Sequence, residues 1–180
     1  MLAVLIIAVL AAVAAVLRGG SLESLAATKV KWLWLVWIAL IVQVGFRVFE
    51  PSWLTDAWGL VVLIATNLAI VWFMVLNWKQ PGMILAAVGL LMNLVVITAN
   101  GAMPVSDYVF EVIDIDESTL DSAGFKHERM TGDTVLPWLG DVVPIAPLRE
   151  VWSVGDFVLA AGIGWFVWKR TLASRLPDGS

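Results

Sequence analysis

The sequence predicts an all-α membrane protein: five transmembrane helices, N-terminus outside and C-terminus inside, with a small acidic segment outside the membrane between the fourth and fifth. Three observations lead there. Of 180 residues, 61% are hydrophobic and only 14% charged, and the mean hydropathy is +0.91. Ordinary soluble domains carry about 45–50% apolar and about 25% charged residues. A water-soluble fold of this length has no interior large enough to hide so much apolar surface, so lipid is the solvent that suits it. The apolar residues also fall into five separate runs, and the basic residues alternate between the connections as cytoplasmic loops require.

The runs are 1–17, 32–49, 53–78, 83–99 and 151–168, all within a single membrane domain spanning 1–180. A spanning helix needs about 17–25 residues at about 1.5 Å rise each. The first, fourth and fifth runs sit at the short end of that range. The first run has an Ala-Val-Ala stretch of the kind that signal cleavage uses, but no Lys or Arg precedes its apolar core. It therefore reads as a retained helix with its N-terminus outside, cleavage being the alternative. Its small residues Ala11, Ala12, Ala14 and Ala15 suit close packing against another helix.

Orientation follows from charge. Arg18–Lys31 holds three basic residues against Glu23 and is placed in the cytoplasm. Arg47–Asp56 has one base and two acids and reads as outside. The turn Asn77–Gly82 carries Lys79 and returns to the cytoplasm, as does the tail with Lys169, Arg170 and Arg175 against Asp178. Eleven tryptophans against one tyrosine, many near run ends, fit indole anchors at the headgroup boundary. The segment Asn100–Glu150 then lies outside, with ten acids against Lys126, Arg129 and Arg149. Within it, Tyr108–Ile115 alternates enough for a small β-hairpin, with helix the alternative. Pro137, Pro144 and Pro147 imply an irregular approach to the last helix.

Polar side chains inside apolar runs are the first functional candidates, because lipid makes them expensive. Gln43, Asn67 and Asn93 each suit interhelical hydrogen bonds worth on the order of 1 kcal/mol. Asp156, in Trp-Ser-Val-Gly-Asp-Phe, opens the last run, with Gly155, Gly162 and Gly164 leaving room for another backbone or a ligand. It reads either as a carboxylate on free helix N-terminal amides or as one half of a carboxylate pair. Asp141 precedes it by fifteen residues, at the same boundary. Two carboxylates sharing one proton can activate water, one as base and one as acid, which is the minimum for an aspartic peptidase. Asn100-Gly101 followed by Pro104 suits a left-handed helix C-cap; alternatively Asn100 lines the same cleft as the acids.

Other chemistries are thinly supported. The absence of cysteine excludes disulfides, thiolate metal sites and cysteine nucleophiles. His127 stands between Lys126 and Arg129 without further ligands, so it reads as a solvated loop residue and no metal is expected. Asp114, Asp116 and Ser118 begin like an EF-hand loop, but Thr119 and Phe125 occupy the positions that need Gly and Glu. No phosphate loop, dinucleotide fingerprint or haem motif is present, so no cofactor is expected. The absence of a basic stripe argues against nucleic acid.

Several ordered motifs carry a family resemblance. Leu17-Arg18-Gly19-Gly20-Ser21-Leu22 with Leu25-Ala26 comes first, followed by Asn100-Gly101-Ala102-Met103-Pro104-Val105. Lys126-His127, Thr134, Leu139-Gly140-Asp141 and Ser153-Val154-Gly155-Asp156 complete the set. Together they resemble a bacterial integral membrane family, domain of unknown function 5317. The resemblance implies a bacterial plasma (inner) membrane protein of unassigned activity. It also draws attention to Asn100, Lys126, His127, Thr134, Asp141 and Asp156; Asn93, Asn100, Lys126, His127 and Thr134 form a candidate outer-face polar cluster beside the two candidate catalytic acids. Ser153 to Gly162 is similar, in addition, to the pattern opening the last helix of lipoprotein signal peptidase, although the Gly-Asn-x-x-Asp-Arg run of that family is missing here.

The resulting expectation is a binding or accessory component of a larger membrane-protein complex, embedded in the lipid bilayer. The alternatives are an aspartic-type membrane hydrolase, with Asp141 and Asp156 catalytic and Asn100 orienting substrate or water, and a component of a transporter. With one deep ionisable residue, five helices offer a poor transport path unless they oligomerise.

Overall fold

Glycine and alanine decide how the helices pack. The computed structural model describes residues 2–49, 56–113 and 127–173. Outside them lie Lys126, the Asp114–Phe125 stretch with its calcium-like spacing, Trp53, Arg175 and Asp178. The helices are α1 (Leu2–Leu17), α2 (Leu22–Ala26), α3 (Trp34–Phe49), α4 (Asp56–Leu76), α5 (Met83–Asn100), α6 (Asp107–Ile113) and α7 (Val154–Leu172). Two stretches, Trp58–Leu76 and Met83–Asn100, are long and apolar enough to cross a membrane, and Ala3–Leu17 and Trp34–Phe46 are shorter apolar helices.

α3 packs on α4, α4 on α5, α5 on α7 and α7 on α1. The α5–α7 seam is the closest. Gly82, Ala86, Gly89 and Asn93 face Gly155, Leu159, Gly162 and Phe166 in reverse order, so the two helices run antiparallel. A Cβ added at Gly82 would meet the Gly162 carbonyl oxygen at 2.0 Å, and one at Gly89 would meet Leu159 N at 2.3 Å. Backbones this close gain dispersion along the whole seam, as small-residue contacts do wherever lipid is no worse a neighbour than Leu. On the other flank of α7, Ile7 approaches Gly164, and a Cβ on Gly20 would meet the Thr171 carbonyl oxygen at 2.5 Å. α1 therefore runs parallel to α7. Ala15 is fully buried in this contact, while Ala11, Ala12 and Ala14 are half-buried.

The connection between α2 and α3 is tied down by side chains that imitate backbone. Asn77 accepts from Lys31 N at 2.7 Å and donates to Lys31 O at 2.9 Å, while Gln80 Nε2 donates to Lys29 O at 3.2 Å. The start of α3 thus lies beside the α4–α5 turn, and successive long helices alternate in direction.

The all-α expectation needs correcting between α5 and α7. Four short strands form a mixed sheet there among the described residues: β1 (Met103–Val105), β2 (His127–Arg129), β3 (Asp141–Ile145) and β4 (Glu150–Ser153), in the order β2-β1-β3-β4. β1 is parallel to both β2 and β3, whereas β3 and β4 are antiparallel, with an irregularity between Asp141 and Val143. Gly101, at φ +81, ends α5 and donates its N–H to the Ile97 carbonyl, turning the chain into β1. β4 runs straight into α7, so the sheet forms a cap over one end of the α5–α7 pair. The hairpin reading of Tyr108–Ile115 also fails where it can be checked, because 107–113 is α6. Val109, Phe110 and Ile113 are buried against Val105 and Val151, and their spacing gives one helical face where a strand would alternate.

Candidate functional site

At the junction of cap and helices, α7 begins with a reciprocal cap. Asp156 N donates to Ser153 Oγ at 3.0 Å, and Ser153 N donates to Asp156 Oδ2 at 3.0 Å. This satisfies two backbone donors that helix starts leave open. The Ser-x-x-Asp spacing announces it in the sequence, yet Ser153 was absent from the expected cluster. Asn93 on α5 joins the same group: its Nδ2 donates to Asp156 Oδ1 at 2.8 Å, and its Oδ1 accepts from the Ser153 hydroxyl at 2.7 Å. Gly155 makes the approach possible, since a Cβ there would stand 1.9 Å from Asn93 Oδ1.

Asp141 lies next to this group. Its register partner across β3 and β4 is Ser153, so the two side chains share a face of the sheet. Only 3% of Asp141 is exposed. His127 Nε2 stands 3.4 Å from Asp141 Oδ2, while Oδ1 is buried without a hydrogen-bond partner among the described residues. His127 is therefore half-buried on a strand, which corrects the expectation of a solvated loop residue: the parallel pairing of β2 with β1 carries it under the cap.

Burial raises the carboxyl pKa of Asp141 above its ordinary value. The hydrogen bond and charge of His127 oppose that rise, and the negative charge of Asp156 adds to it. A raised folded-state pKa means that the fold favours the protonated acid, so this contribution is full below the unfolded value of 3.8 and is lost as pH climbs through the folded value. We expect wild-type unfolding free energy to decline as pH rises above 3.8 and Asp141→Asn to flatten that decline, read from denaturation midpoints across a pH series. Parallel curves for the two proteins would refute the assignment.

Asn100 and Thr134 belong to a different place. Asn100 pairs with Val135 like a strand, accepting from its N–H at 2.8 Å and donating to its carbonyl at 2.9 Å, and it also donates to Val96 O at 2.8 Å. Thr134 Oγ1 accepts from Thr131 N at 2.8 Å and shapes the turn. Both line an open polar cleft of about 250 Å³ whose other walls include Glu128, Arg129, Thr131 and Asp133. Of the remaining amides, Gln43 bonds across helices to Thr66 Oγ1 at 2.9 Å, whereas Asn67 returns to its own helix at Leu63 O, 2.8 Å away.

A family model described as a family of unknown function, DUF5317, matches residues 27–168. The chain belongs to that DUF5317 family. No curated protein and no solved structure matches it. Asn93, Asn100, His127, Thr134, Asp141, Ser153 and Asp156 all fall inside the matched span, which begins after α1 and the Leu17–Ala26 motif. The likeness of Ser153–Gly162 to lipoprotein signal peptidase rests on that short pattern alone.

Proposed function

We propose that this DUF5317 chain is a bacterial plasma-membrane protein crossing the bilayer five times, N-terminus outside and C-terminus in the cytoplasm. In this reading it serves as a binding or accessory component of a membrane complex. Alternating helix direction supports the five spans. So do the exposed apolar faces, such as Val9 and Val13 on α1, Trp37 and Ile41 on α3, and Val61 and Trp72 on α4, which lipid would cover. The basic connections at the end away from the sheet support the orientation.

One observation favours binding over catalysis. The acids are engaged in holding the cap: the Asp156 carboxylate already accepts from Asn93 and Ser153 N, it shares the single Ser153 hydroxyl proton with Asn93 Oδ1, and Asp141 is closed off from solvent. The open surface is the cleft beside Asn100, where hydroxyls and charges of both signs suit a polar segment of a partner. We expect the chain, purified in mild detergent, to bring down a membrane protein at fixed stoichiometry, with crosslinks from Glu128 or Asp133. A monodisperse monomer with no enriched crosslinked partner would overturn this reading.

An aspartic-type hydrolase is the second reading, favoured by the unpartnered Asp141 Oδ1 and by the effect of the Asp156 charge on that acid. It requires an uncleaved membrane precursor to accumulate in cells carrying Asp141→Asn. The binding reading expects none.

A further inference from the structure

The end of the bundle opposite the sheet carries a second feature, built from cations and indoles. Arg18 follows α1, Lys29 and Lys31 precede α3, Lys79 sits in the α4–α5 turn, and Lys169 and Arg170 close α7. Among the described residues Glu23 is the one acid beside them and none of the six cations forms an ion pair. The Arg170 Nε has no acceptor among the described residues. Aromatic rings surround the charges: the Arg18 guanidinium lies 5.2 Å from the Trp168 ring centre and Lys79 Nζ lies 5.7 Å from that of Trp78. Trp32 and Trp34 stack at 5.8 Å with both rings largely exposed.

We propose that this face binds the headgroups of anionic phospholipids in the leaflet it meets. The inference rests on the membrane reading above. Indoles settle at the headgroup level, and cations beside them meet phosphate oxygens there. The positions are fixed beforehand, because Asn77 and Gln80 grip the backbone at Lys31 and Lys29 and Ser21 N donates to Thr171 O at 2.8 Å. The backbone is then placed before lipid arrives, and binding has the side chains left to order. The grips use backbone atoms, so neutralising the lysine side chains leaves them in place.

The test is native mass spectrometry of the detergent-purified full chain offered equal phosphatidylglycerol and phosphatidylcholine. We expect phosphatidylglycerol to be retained at least roughly fivefold over phosphatidylcholine, about what one well-placed cation confers. The preference should shrink in high salt and fall clearly, though not to nothing while Arg18, Lys169 and Arg170 remain, in the triple variant Lys29→Gln, Lys31→Gln, Lys79→Gln with helicity intact. Arg149→Gln, at the sheet end, should leave it unchanged. Equal retention of the two lipids by wild type would overturn the proposal, as would an undiminished preference in the folded triple variant. Displacement of the lipid by free glycerol phosphate would overturn lipid as the occupant. A chain that stays folded and dissolved without detergent would instead defeat the membrane reading itself.

Discussion

Gly89→Ala is expected to cost about 3 kcal/mol of stability, the upper part of the range for overpacking a tight interior. The new methyl carbon would stand 2.3 Å from Leu159 N and 2.5 Å from the Gly155 carbonyl oxygen. Both are backbone atoms, so no side chain can rotate away and the helices must part. Parting them also lengthens the Asn93 bonds to α7. Gly162→Ala meets the same obstacle at Ala86 N, 2.4 Å away. Because one separation relieves both clashes, the double variant should lose less than the sum of the singles. Gly45→Ala and Gly59→Ala are the controls, since nothing lies within 4 Å of a Cβ at either position. There the better helix propensity of Ala should be neutral or worth up to about 1 kcal/mol. Thermal unfolding in one detergent, followed by helical signal, separates the two groups. If Gly89→Ala melts together with Gly45→Ala, the seam is not as close as described.

Legibility from sequence divides along physical lines. The five long helices were readable because each is a long apolar run, and run length survives ignorance of neighbours; the short α2 and α6 were not. Gly101 was readable as a cap because a left-handed residue after Asn100 is a local requirement. The sheet was not, since its strands are three to five residues long and, apart from the local β3–β4 hairpin, pair across large sequence separations. No short window contains that information. His127 was misread for the same reason: its flanking charges look like a loop, and only the pairing of β2 with β1 brings it to Asp141. Gly155 and Gly162 were legible as places of close approach, but the approaching backbone, α5, could not be named. Gly89, on that helix, and Gly82, which caps its start, carry no local mark of the contact. Asn77 opens a turn, and nothing near it in the sequence shows that its amide matches both backbone groups of Lys31.

Asn93→Leu is the second variant with a large expected effect, about 3 kcal/mol, although the two side chains are close in size. The substitution strips Asp156 Oδ1 of its donor and leaves the Ser153 hydroxyl only Asp156 Oδ2 as an acceptor. A hydrogen bond to a charged group contributes about 1.5–3 kcal/mol, and a polar atom left unpaired in a tight junction adds its own desolvation cost. Asp156→Asn should cost less, because an amide oxygen can still accept from Asn93 while the reciprocal cap is weakened. A double-variant cycle between positions 93 and 156 should therefore show coupling of about 1–2 kcal/mol. The consequence extends beyond stability, because Asn93 is the α5 side chain that bonds directly to the start of α7, where β4 enters. With that link gone the sheet is held over the helices less firmly, and capture of a partner at the Asn100 cleft should weaken even in protein that remains helical. If Asn93→Leu unfolds within about 0.5 kcal/mol of wild type, or if the two substitutions simply add, the network does not bind cap to helices and the cleft has lost its support.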